Sequence, residues 1–152
     1  MPIVGVVVGS RSDEPIIQQT MRLLEELGVD AELVVASAHR APARLREYVE
    51  SAPGRGVEVF IAAAGGAAAL PGAVAALTTL PVIGVPLASS ALKGTDALYS
   101  IAQMPPGVPV ACVAVGSWGA RNSAVLAAQI LGLKYDRIKE AHDAYRKRLG
   151  EV

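Results

Sequence analysis

One short segment of this 152-residue chain pairs a proton carrier with an anion fork: Ser37-Ala38-His39-Arg40-Ala41-Pro42. Imidazole titrates near pH ~6.5, so His39 can give and take a proton at neutral pH, as general acid–base chemistry requires. Arg40 beside it presents a planar set of donors that matches phosphate or carboxylate. A His packed in its loop beside an Arg that is a plain surface charge is the bland alternative, and this segment alone leaves both open. The other histidine, His142, sits among Glu140, Asp143, Arg146 and Lys147, where solvation or a surface pair accounts for it.

Gly9-Ser10-Arg11-Ser12-Asp13 puts small residues, two hydroxyls and a carboxylate at the entry to a helix. Backbone N–H groups and the positive end of the helix dipole favour an anion there, with Ser10 or Ser12 as further donors. Asp13 has the wrong charge for a phosphate but suits ribose hydroxyls. The same residues also make an ordinary helix cap. Lacking the Lys of G-x-x-x-x-G-K-[ST], the segment is not a P-loop. Nothing titrates in Ala64-Gly65-Gly66-Ala67-Ala68-Ala69-Leu70-Pro71-Gly72. Its glycines let the backbone approach a ligand, although close helix packing asks for the same composition. Pro86 to Gly94 carries Ser89, Ser90 and Lys93; Gln103-Met104-Pro105-Pro106-Gly107 reads as a helix end with turn chemistry, with pocket lining by Met104 and its neighbours as the alternative. In Gly116-Ser117-Trp118-Gly119-Ala120-Arg121-Asn122 the single Trp either stacks on a ligand or packs at an interface.

Several chemistries are excluded. The lone Cys112 makes no internal disulfide, and no His, Cys and carboxylate set has metal-ligand spacing. There is no nucleophile elbow and no Ser-His-Asp order. One Phe, one Trp and four Tyr are few for a flavin site. Fourteen basic against fourteen acidic side chains remove the basic footprint that nucleic acids require.

These segments need a frame, and the hydrophobic pattern supplies one. Strands are predicted at Ile3–Val8, Ala31–Ala36, Val57–Ala62, Val82–Val85 and Val110–Val115, from short apolar, β-branched runs. Between them, helices are predicted from Ile16 to Leu27 with Gly28 as cap, and from Pro42 to a stop at Pro53-Gly54. Others follow at Pro71–Thr79, Thr95–Gln103, Ala120–Leu131 and Asp136–Leu149. Five alternations of strand and helix argue an α/β fold, one domain over residues 1–152, with helices on both faces of a parallel sheet. Ligands bind such sheets at the carboxyl ends of the strands, and each chemistry-bearing segment directly follows a strand.

Charge is distributed unevenly. From Val59 to Ala120 the only charged residues are Lys93 and Asp96, whereas Lys134 to Val152 carries six bases and four acids. A membrane hairpin is disfavoured, because Gly65-Gly66, Pro71, Pro81 and Pro86 interrupt every span of the ~20 apolar residues that crossing needs. Copies of the same chain covering this surface explain it better, since interface cores are depleted in charge. The apolar run MPIVGVVVGS has neither a basic flank nor an A-x-A-like site, so it is not read as a signal peptide, and the chain is expected in the cytoplasm.

The motifs together resemble the class I N5-carboxyaminoimidazole ribonucleotide mutases of purine biosynthesis. The resemblance runs through GSRSD, SAHRxP and AGGAAxLPG, and continues in Gly84-Val85-Pro86, in Leu92-x-Gly94-x-Asp96-x-Leu98-x-Ser100-Ile101, in Gln103-Met104-Pro105-x-Gly107-x-Pro109-Val110 and in Asn122 to Leu131. It implies a flavodoxin-like three-layer fold assembled as a homo-octamer, with the C-terminal helix extending to neighbouring subunits. It also implies conversion of N5-carboxyaminoimidazole ribonucleotide to 4-carboxyaminoimidazole ribonucleotide without metal, ATP or cofactor. By the same resemblance His39 is the acid–base residue, and Ser10, Ser12, Asp13 and Arg40 hold the ribose phosphate end. Ser37, Ala64, Gly65, Gly66, Ala67 and Leu70 complete the substrate-binding set, with backbone N–H groups of Gly65-Gly66 toward the migrating carboxylate.

Three departures stand out. Ala69 replaces the family's second active-site His, Ala63 replaces a Gly, and GSWGARN places Trp118 where a small residue is usual and adds Arg121. They allow a diverged paralogue that carboxylates or decarboxylates another ribonucleotide, including direct carboxylation as in class II relatives. They also allow a non-catalytic nucleotide-binding oligomer, or simple compensation with Trp118 filling space beside Ala69.

Overall fold

Five apolar runs become the strands of one all-parallel sheet, ordered β2-β1-β3-β4-β5. The computed structural model describes Met1 and residues 3–151. The strands are β1 Val4–Val8, β2 Ala31–Val35, β3 Val59–Gly65, β4 Val82–Leu87 and β5 Ala111–Cys112. The helices are α1 Glu14–Glu26, α2 Pro42–Ser51, α3 Leu70–Ala75, α4 Thr95–Ala102, α5 Ser117–Gly132 and α6 Asp136–Leu149.

The period-2 alternation of strand side chains divides the core into two halves. Val4, Val6 and Val8 face α1 and α5, meeting Ile17, Leu24, Ala124 and Leu131, and Ile138 of α6 joins them. Val7, Phe60 and Ala62 face the other way, against Leu45 and Val49 of α2, Val74 of α3 and Ile101 of α4. Burying each such Val, Leu, Ile or Phe contributes about 1.5–3 kcal/mol, which is why the apolar runs must lie inside the three layers. Small residues on α5 allow α1 to approach closely, and the seam contains a buried hydroxyl: Thr20 Oγ1 donates to the Ala120 carbonyl at 2.7 Å.

Several predicted boundaries move, most of all in four elements. β3 starts at Val59 and runs to Gly65, because the register with β1 begins at Val4↔Val59. α3 ends at Ala75 rather than Thr79, where β-branched Thr78 turns its hydroxyl to the Leu80 N–H and Pro81 follows. The fifth strand narrows to Ala111–Cys112, although Val113 N–H still donates to the Gly84 carbonyl and Gly116 N–H to that of Pro86. α5 begins at Ser117, three residues early, because Gly116 at φ +74° reverses the chain so that Ser117, Trp118 and Gly119 enter the helix.

His142 also departs from expectation. It is half-buried, and its Nε2 is closed off from solvent with no hydrogen-bond partner among the described residues, because α6 folds along α5 instead of standing in solvent. Arg148 further ties α6 to Glu26 of α1 at 2.8 Å. Among the described residues no helix is long and apolar enough to cross a membrane.

Candidate active site

β1 and β2 end level, with Val8 opposite Val35, and β3 runs two residues past the Val8–Ala63 pair to Gly65, so the loops after the three strands leave the same edge of the sheet side by side. Between these loops lies a cavity of about 490 Å³. A larger groove of about 660 Å³ lies at the opposite end, beside the starts of β4 and β5; no titratable side chain lines it, so it has no means of moving a proton.

The first loop enters a single 3-10 turn, Arg11–Asp13, capped by Ser10, whose Oγ accepts from the Ser12 N–H at 3.3 Å and lies 2.9 Å from Ser12 Oγ. The capping reading of this loop therefore holds, and Ser10, Ser12 and Asp13 line the cavity as well. Burial pushes the Asp13 carboxyl above the usual aspartate range, and the nearby Arg40 charge only partly opposes it.

The second loop is held from both sides. Ser37 Oγ accepts from the Arg40 N–H at 3.1 Å, and the Ser37 carbonyl accepts from the Ala41 N–H at 3.0 Å. Arg40 Nη2 reaches back to the Gly9 carbonyl at 3.3 Å. Ser37, His39 and Arg40 all line the cavity, and His39 and Arg40 are exposed, which disposes of a His packed within its loop.

The third loop is a tight turn: the Gly65 carbonyl accepts from the Ala68 N–H at 3.1 Å, with Gly66 at φ +62° and Ala68 at φ +46°. Ser100 Oγ, from α4, donates to the Ala67 carbonyl and pins the turn. Ala64, Gly65, Ala67 and Leu70 line the cavity. Gly66 does not; its left-handed backbone shapes the turn instead. Ala69 also lines the cavity, as a bare methyl group. Trp118 stands 75% exposed at the start of α5 and is not part of the lining, so within this chain it leaves the space beside Ala69 unfilled. Met104 packs toward Gly72 and does not line the cavity either.

Ser89 lines the cavity from the loop after β4 and was not among the expected binding residues. The signal was its position: like the other site residues, it follows a strand end. Among the described residues no three His, Cys, Asp or Glu side chains gather as a metal-ligand set.

What the arrangement can do chemically is hold an anionic, hydroxylated ligand at the Ser10–Asp13 and Arg40 side while His39 exchanges a proton with it. Comparison with known proteins agrees in family. A 55% identical protein of Pyrococcus abyssi, aligned over 97% of this chain and 83% of its own length, is named N5-carboxyaminoimidazole ribonucleotide mutase. One of Thermotoga maritima, 53% identical over 98% of this chain and 86% of its own, bears the same name. The crystal structure of Treponema denticola PurE superposes with a TM-score of 0.90 at 26% identity, covering 99% of this chain and 93% of that one. A sequence profile described as AIR carboxylase matches residues 3–151, and the chain belongs to that family.

Proposed function

We propose that this chain is an N5-carboxyaminoimidazole ribonucleotide mutase, forming 4-carboxyaminoimidazole ribonucleotide in de novo purine biosynthesis. The observation that carries this reading is one cavity lined by His39, Arg40 and the first-loop hydroxyls, in a chain more than half identical to proteins of that name.

Arg40, Ser10, Ser12 and Ser37 bind the phosphate end, and Asp13 accepts from ribose hydroxyls. His39, as imidazolium, donates a proton to the carbamate nitrogen. The nitrogen–carboxyl bond then breaks, its electron pair stays on nitrogen, and carbon dioxide is released beside the aminoimidazole ring. The neighbouring ring carbon attacks it, forming the new carbon–carbon bond. His39, now neutral, removes the proton from that carbon and returns to its starting state. One proton goes in and one comes out, so the cycle closes without an oxidant, a reductant or ATP. The backbone of Gly65, which lines the cavity, serves the carboxylate as it moves, with Gly66 shaping the turn that presents it.

The chain works as one domain within a homo-octamer in the cytoplasm, where a phosphorylated, membrane-impermeant substrate is retained. Exposed His39 and Arg40 leave the cavity of a single chain open, and trapped carbon dioxide requires a cover. Leu92, Tyr99 and Trp118 are exposed on the charge-poor part of the chain, and the last turn of α6 stands clear of the core, both suited to contact with other copies.

A spectrophotometric assay on fresh N5-carboxyaminoimidazole ribonucleotide tests the reading. ATP-independent formation of the 4-carboxylate is expected, with kcat lowered roughly 10²–10⁴-fold in His39→Asn. Turnover only from aminoimidazole ribonucleotide and bicarbonate, or binding without turnover, would replace it by direct carboxylation or by a non-catalytic role.

A further inference from the structure

The geometry points to Ser89 as a specificity residue, its hydroxyl donating a hydrogen bond to the carboxylate carried by the imidazole ring; this rests on the mutase reading. The cavity has two chemically different ends. Ser10, Ser12, Asp13 and Arg40 concentrate side-chain donors, acceptors and charge at one. At the other, Ala64, Gly65, Ala67, Ala68, Ala69 and Leu70 offer no side-chain polar atom at all. A ribonucleotide whose phosphate and ribose occupy the charged end brings its base, with the migrating carboxylate, to this second end.

Ser89 supplies the missing polar group. Its Oγ lies only 1.8 Å from where a Cβ on residue 65 would stand, so the absence of a side chain at Gly65 is what lets the hydroxyl lie against the turn. The serines nearby are already engaged: Ser90 Oγ donates to Asp96 and accepts from the Leu92 N–H at 3.2 Å, and Ser100 Oγ donates to Ala67. The Ser89 hydroxyl makes no hydrogen bond among the described residues, and both Ser89 and the Gly65 it lies against line the cavity. A carboxylate arriving there completes its hydrogen bonding, and a base without a carboxylate does not. A hydrogen bond to a charged group typically changes affinity by roughly tenfold or more.

Calorimetric titration of 4-carboxyaminoimidazole ribonucleotide and of uncarboxylated aminoimidazole ribonucleotide into wild type and Ser89→Ala tests this. The carboxylated nucleotide should bind about tenfold more weakly to Ser89→Ala, while the uncarboxylated one changes less than about twofold. Ser89 is exposed, so the variant should fold, and its melting temperature checks that. Equal losses for both nucleotides, or no loss for either, would overturn the assignment. Turnover by the wild type is read separately, on N5-carboxyaminoimidazole ribonucleotide: a wild type that binds this substrate without forming the 4-carboxylate refutes the mutase activity, and the ratio of the two calorimetric affinities still judges Ser89.

Discussion

The Arg40 guanidinium donates to the Gly9 carbonyl at 3.3 Å, linking the loop after β2 to the loop after β1. One side chain thus offers charge to the ligand and fixes the distance between the two loops that receive it. Arg40→Ala should raise KM by roughly 10–100-fold with a smaller effect on kcat, because it removes charge-assisted hydrogen bonds from the phosphate end. Arg40→Lys should restore only part of the affinity, since an ammonium cannot reproduce the fork. Steady-state kinetics over a range of substrate concentrations would show the split; a fall in kcat alone would mean that Arg40 acts on the reacting carbon instead.

Asp13 illustrates a conflict between function and stability. Burial raises its pKa in the folded chain above the unfolded value, so the folded state binds this proton more readily. Its contribution to stability is therefore present below the unfolded pKa and is lost as pH rises through the folded one. Asp13→Asn should melt at a higher temperature than wild type near pH 7, with the difference shrinking on acidification, and should bind ribonucleotide more weakly. Thermal melts across pH 3 to 8, paired with substrate titrations, test both signs.

Ala69 leaves room in the cavity. Ala69→His should fold normally and retain turnover, because the position lines open space and its backbone, at φ −70°, is one any residue adopts. Ala69→Leu should fill the same space with an apolar group and raise KM by about tenfold or more. If Ala69→His abolishes turnover while leaving the melting temperature unchanged, the site is adapted to a ligand that needs the space a methyl group leaves.

Away from the cavity, Thr20→Val tests the α1–α5 seam. It removes one donor from the Ala120 carbonyl, which still accepts from Ser123 Oγ at 2.7 Å, so no carbonyl is left without a partner. The cost should be about 1 kcal/mol, a fall of roughly 2–4 °C in melting temperature, with kcat and KM unchanged. A loss of several kcal/mol in calorimetry would show that the hydroxyl organises the seam.

Much of the fold is legible in the residue types. β-branched runs such as Val6-Val7-Val8 are too uniformly apolar for an exposed strand, and Gly28 and Pro42 mark where helices stop and start. Boundaries were less legible where a single backbone angle decides them. Gly116 reads as a loop glycine in sequence, and only its left-handed conformation shows that Trp118 belongs to α5. His142 reads as a surface residue among charges, and only the packing of α6 along α5 encloses its Nε2.

The sequence by itself determined the alternation of strands and helices, and therefore that Ser10, His39 and Gly65 each follow a strand, because local hydrophobic period and turn chemistry act over a few residues. It also carried the motifs that identify the family. Tertiary structure decided which of those loops face one another, since strand order and register are set by burial of side chains far apart in the chain. That pairing left Gly66 at the turn beside the cavity rather than in its lining, set Trp118 apart from the cavity, and brought Ser89 against Gly65, 24 residues away along the chain.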